Sequence, residues 1–77
     1  MAEHIQRRSV VVSGHRTSVS VEDEFWTEIA AIAARRGMSL NGLISEIDRD
    51  RDGNLSSAVR LYVLRELKAE FRGASGR

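Results

Sequence analysis

The chain contains no cysteine. That excludes a disulfide framework and every cysteine-based metal site. Histidine is nearly absent too: His4 and His15 are the only two among 77 residues, too few for a zinc site or a nucleophilic dyad. No apolar run approaches the roughly 20 residues of a membrane span. The first residues lack the apolar core of a signal peptide, so a cytoplasmic protein is expected, with no membrane partner. No Gly-rich phosphate loop appears, nor a tight histidine–carboxylate spacing. A chain this short has little room for a cleft that encloses a substrate. Neither enzymatic activity nor a cofactor is expected.

Length sets the next limit. A single domain spanning residues 1–77 is the expectation. In so small a core, burial at roughly 25 cal/mol per Å² is nearly cancelled by about 1.5 kcal/mol of ordering entropy per residue. With no disulfide available, a second copy of the chain is the expected source of stability. Net charge is only +1, but its distribution is uneven. Residues 1–21 hold Arg7, Arg8 and Arg16 against a single Glu3, with the two histidines nearby, and the other acidic residues start at Glu22. A dimer would double that basic edge.

Residues 1–6 read as a loose arm. Arg8 to Val12 is rich in β-branched residues, Ser13-Gly14-His15 suits a turn, and Arg16 to Val21 alternates in polarity. A β-hairpin over residues 8–21 is expected, with one long strand bulged at Gly14 as the alternative. A first helix is predicted from Asp23 to Arg36. Its start is acidic, its end carries Arg35 and Arg36, and Gly37 follows. Phe25, Ile29, Ile32 and Ala33 make its apolar face. Ser39 caps a second helix from Leu40 to Ile47, striped by Leu40, Leu43, Ile44 and Ile47. After a polar loop, Asp48 to Gly53, Asn54 or Ser56 caps a third helix that runs to Phe71. Leu55, Val59, Tyr62, Val63, Leu67 and Phe71 are its expected buried side. Residues 72–77 read as a frayed tail.

In the second strand, period two puts Thr17, Val19 and Val21 on one face and Arg16, Ser18 and Ser20 on the other. A lone strand satisfies neither its edges nor its apolar side. Pairing antiparallel with a second copy would make a two-stranded ribbon, a shape that fits a DNA major groove. Arginine bonds guanine O6 and N7 in bidentate fashion, and serine bonds several base edges. The same alternation also describes an ordinary solvent-facing strand.

Strand, helix, Gly37-Met38-Ser39-Leu40 and a second apolar-striped helix together resemble the ribbon-helix-helix family. Arg8-Ser9-Val10-Val11-Val12 with Gly14-His15-Arg16-Thr17-Ser18 looks like a bacterial subgroup of that family. Glu24-Phe25-Trp26 and Asn54-Leu55-Ser56-Ser57-Ala58-Val59-Arg60 extend the likeness, which covers about residues 7–68. The resemblance implies an α+β homodimer with an intermolecular antiparallel β-ribbon that binds double-stranded DNA as a transcriptional regulator, a cytoplasmic, nucleoid-associated repressor. It puts base contacts on Arg16, Ser18 and Ser20. It puts a phosphate clamp on the amides near Ser39, Leu40 and Asn41, where a helix N-terminus offers free N–H groups, with Arg36 close enough to assist.

Two features depart from that family pattern. A second strand would give the dimer a four-stranded sheet, too broad for a groove about 12 Å wide, and an additional third helix could enlarge the core or dock another protein. A protein-interaction module without DNA binding and the antitoxin of a toxin–antitoxin pair are therefore the rival functions. The mixed charges Arg60, Arg65, Glu66, Lys68, Glu70 and Arg72 suit a solvated face of that helix. Trp26, adjacent to Phe25, cannot share its face; Phe25 is expected in the core and Trp26 at the dimer interface.

Asp48-Arg49-Asp50-Arg51-Asp52-Gly53 resembles the start of an EF-hand loop, but position 12 is Val59 rather than a bidentate glutamate. Two arginines also sit among the would-be ligands. Titrating calcium is expected to leave the thermal midpoint unchanged; a large upward shift would make this loop a metal site.

Overall fold

Two alternating strands, β1 (Ile5–Val12) and β2 (His15–Glu22), pair antiparallel in a computed structural model that describes residues 5–51 and 53–75. The turn decides for a hairpin over a bulged single strand. Ser13 and Gly14 both take positive φ, 51° and 79°, which marks the two-residue turn whose twist matches its strands. The register runs from Ile5 opposite Glu22 to Val12 opposite His15. Ile5 and Gln6, expected in a loose arm, are thus part of the sheet. The rest of that arm, residues 1–4, lies outside the described residues.

Helix α1 (Asp23–Arg35) leaves β2 directly, with Asp23 and Glu24 at the positive end of its dipole. Gly37, at φ 70°, ends it. The Gly37 amide donates to the Ala34 carbonyl and the Met38 amide to the Ala33 carbonyl, at 3.1 and 2.9 Å, a paired closure of the last turn that favours glycine. Helix α2 (Leu40–Asp50) is capped by Ser39, whose Oγ accepts from the Gly42 amide at 2.9 Å. It continues three residues past its expected end, into the polar loop. Helix α3 (Leu55–Ser75) is capped by Asn54, whose Oδ1 accepts from the Ser57 amide at 3.0 Å. It stays helical through Ser75, where a frayed tail was expected.

The core lies between the hairpin and the three helices. Val10, Val12, Val19 and Val21 come from the sheet and Trp26, Ile29, Ile32 and Ala33 from α1. Leu43, Ile44 and Ile47 come from α2, and Leu55, Val59 and Val63 from α3. Two assignments change. Trp26 is buried and Phe25 is only half-buried. Positions 26, 29 and 33 share a helical face as well as 25, 29 and 32 do, and the overlying hairpin selects the first set. The Trp26 Nε1 donates to the Gln6 carbonyl at 2.9 Å, and the Arg8 guanidinium lies 4.9 Å from its ring centre. Phe25 instead faces the Arg60 guanidinium at 6.0 Å.

Leu67 and Phe71 are exposed rather than buried. At 1.5 Å per residue α3 is about 31 Å long and α1 only about 20 Å, so the last turns of α3 overhang the core.

Two polar contacts tie α3 to β2. Ser56 Oγ accepts from the Ser20 amide at 3.0 Å, and Arg60 Nε donates to Glu22 at 3.0 Å. The Glu22 carboxyl is held below its ordinary range, first by a hydrogen bond from its own backbone and then by Arg60.

Ile29→Ala should cost about 2–5 kcal/mol, a large share of a small domain's stability, and lower the urea midpoint accordingly. A carboxyl whose pKa is depressed by folding stabilises above its unfolded pKa and loses that contribution as pH falls through the folded value. Glu22→Gln should therefore lower the melting temperature at neutral pH, and the difference from wild type should vanish on acidification below the folded pKa.

Candidate nucleic-acid interface

The alternation that buries the four valines turns eight side chains outward: Ile5 and Glu22 form the pair at the open end of the hairpin, and six more cover its middle. They stand opposite one another in pairs: Arg7 with Ser20, Ser9 with Ser18, and Val11 with Arg16. All are exposed except Ser20, which is half-buried. The acidic residue of the described strands is Glu22, at the end of β2, and Arg60 pairs with it. Over its middle the face therefore offers two guanidinium groups and three hydroxyls.

Arg16, Ser18 and Ser20 share this outward face of β2. Arg7 and Ser9 escaped the sequence-based expectation, which rested on the strand nearest the first helix. Their signal was Ser13-Gly14: a two-residue turn fixes the register and places every β1 residue opposite a known β2 residue. Arg8, in the same basic cluster, points to the other side and covers Trp26.

The hydrogen-bonded neighbour of β2 is β1 of the same chain. A ribbon two strands wide is thus complete within one molecule. The opposite edge of β2 lies against the first turn of α3, where the Ser20 amide is already taken by Ser56. On the β1 side, Ser45 Oγ of α2 donates to the Val11 carbonyl at 3.4 Å.

The first turn of α2 is exposed at Ser39 and Asn41. Ser39 Oγ holds the Gly42 amide and the Ser39 carbonyl holds the Leu43 amide. Helix geometry gives the Leu40 and Asn41 amides no intrahelical acceptor. Arg36 is committed elsewhere. Its Nη1 donates to Glu46 at 3.0 Å and to the Tyr62 hydroxyl at 2.9 Å. These partners, Glu46 first, raise its pKa above the ordinary value, and the guanidinium locks the end of α1 to α2 and α3. In the loop that resembles an EF-hand, Arg51 donates to the Asp48 carboxylate at 2.6 Å and to the Gly53 carbonyl; Asp52 lies outside the described residues.

No helix among the described residues is long and apolar enough to cross a membrane. The model of the ribbon-helix-helix domain family matches residues 5–67. Among solved structures, the chain is similar to an uncharacterized protein from Bordetella pertussis Tohama I. The two share 33% identity at a TM-score of 0.80, and the match covers 91% of this chain and 61% of that one. No curated protein matches the chain. Ribbon-helix-helix domains commonly bind DNA and are not enzymes. With strand, α1, glycine-closed turn and Ser39-capped α2 in the family's order, and the family model spanning most of its length, this chain belongs to the ribbon-helix-helix domain family.

Proposed function

We propose that the protein is a sequence-specific DNA-binding transcriptional regulator, a repressor that acts as a homodimer at the nucleoid. The observation that carries this reading is the outward hairpin face: Arg7, Ser9, Arg16, Ser18 and Ser20, with no acidic residue among them. An antiparallel ribbon of two strands matches the width of a major groove. Here one chain supplies both strands, so each copy brings a whole ribbon to its half-site and no four-stranded sheet has to enter the groove. Arg7 and Arg16 suit guanine O6 and N7, while the short serines let the backbone approach base edges. The Leu40 and Asn41 amides beside Ser39 are donors for a phosphate oxygen at the positive end of α2. Arg36 acts indirectly, by holding α2 against α1.

A second reading keeps the fold as a protein-interaction module without DNA binding. The exposed apolar residues of α3, Leu61, Leu64, Leu67 and Phe71, favour a protein contact, and such a contact is compatible with either reading.

Selection of bound sequences from random duplex DNA, at a stated salt concentration, separates the two. A regulator enriches a motif, and its log K falls steeply with log salt. A module that ignores DNA binds none even at low salt. Arg16→Ala should lose about 1–3 kcal/mol at one base pair of the selected site, and Arg7→Ala a similar amount at a different one, as read by competition binding. If both variants bound specific and random DNA as wild type does, the reading face would be wrongly assigned.

A further inference from the structure

We infer that the groove between α2 and α3 binds a small zwitterion with an apolar body, of the size of a dipeptide, its ammonium held at Asp50 and its carboxylate at Arg65. The inference is independent of DNA recognition, because the groove shares no residue with the outward hairpin face.

The groove has a volume of about 300 Å³, at the small end of ligand pockets, which run from about 300 to 1,000 Å³. Ile47 of α2 and Ala58, Leu61 and Tyr62 of α3 line its apolar part. Ile47 belongs to the core, whereas Leu61 is 47% exposed and leaves apolar surface open to an occupant. An apolar lining with a few polar groups at its margin is the common form of a small-molecule site.

The margin decides the chemistry of the occupant. Its charges are balanced, Glu46 and Asp50 against Arg51 and Arg65. Two of the four are committed: Glu46 accepts from Arg36, and Arg51 donates to Asp48. Asn54 Oδ1 is held by the Ser57 amide. The Asp50 and Arg65 side chains have no hydrogen bond or ion pair to any described residue. One free anion and one free cation therefore line the same groove from different helices. An anionic ligand would leave Asp50 unbalanced and a cationic one would leave Arg65 unbalanced, whereas a ligand with one charge of each sign satisfies both. Asp50 is the last residue of α2, so the negative end of that helix adds to the attraction for an ammonium.

Spacing sets the length of the ligand. Asp50 stands where α2 passes into α3, at the Ser57 end of the groove. Ser57 and Arg65 are eight residues apart on α3, about 12 Å along its axis. An extended dipeptide spans about 7 Å, and the flexible Arg65 side chain closes the remainder. The two charges of a single α-amino acid sit on one carbon and are too close together to reach both partners.

Titration calorimetry and amide chemical shifts of the full chain with the dipeptide Leu-Leu test this. Leu-Leu should bind with a Kd of about 1 mM or tighter, and should move the amide resonances of Ala58 and Leu61 but not those of Ser9 and Ser18. Gly-Gly, with the same charges and no apolar side chains, should bind roughly tenfold more weakly. Asp50→Asn and Arg65→Gln, both at exposed positions, should keep the far-ultraviolet dichroism and each weaken Leu-Leu binding about two- to fivefold. N-acetyl-Leu-Leu should be indifferent to Asp50→Asn, and Leu-Leu amide to Arg65→Gln, which assigns each end of the ligand to its partner. No saturable binding at about 10 mM would overturn the inference. So would shifts that map away from the groove, or a doubly blocked peptide that binds as well as the free one. Arg16→Ala should leave the Leu-Leu affinity unchanged, so failure of DNA recognition and failure of this site are read separately.

Discussion

The structure depends on covering one face of a two-stranded hairpin. Val10, Val12, Val19 and Val21 line that face and are almost wholly buried. Two strands alone cannot hide such a surface from water. A strand–helix–helix chain would leave part of it for a partner, whereas here α3 lies against β2 and closes the core from within. Ser56 on the Ser20 amide and Arg60 on Glu22 hold α3 in that place. Val59 and Val63 complete the packing.

Closing the core internally frees two surfaces. The hairpin's outer side is no longer needed for stability and can carry arginine and serine without an energetic conflict. The outward side of α3 keeps leucines and a phenylalanine largely exposed, while Arg35 of α1 pairs with Glu70. The first carries the chemistry of the proposed DNA contact, and the second is an exposed apolar stripe.

Much of this organisation was legible in the residues. Period-two alternation from Arg16 to Val21 and 3.6-residue periodicity after Glu22 mark strand and helix. Gly37 and Ser39 mark the boundary between α1 and α2, because each makes a terminal contact that few other residues make. Outward placement of Arg16, Ser18 and Ser20 follows from the same alternation. Arg7 and Ser9 required the register, which a two-residue turn supplies only once it is known to be a turn. Trp26 and Phe25 could not be ranked from periodicity, since either fits the face of Ile29. Leu67 and Phe71 misled for a related reason: helical spacing shows that a stripe exists, not whether a core extends far enough to meet it.

The sequence by itself determined the local conformations and the chemistry of each face. Backbone sterics, side-chain alternation and capping hydrogen bonds act within a few residues and need no distant partner. Only the tertiary structure decided which aromatic residue enters the core, that Arg36 is spent on Glu46 and Tyr62, and where α3 leaves the core. Those outcomes depend on contacts between residues 10 to 38 positions apart, whose geometry is set when all five elements pack at once.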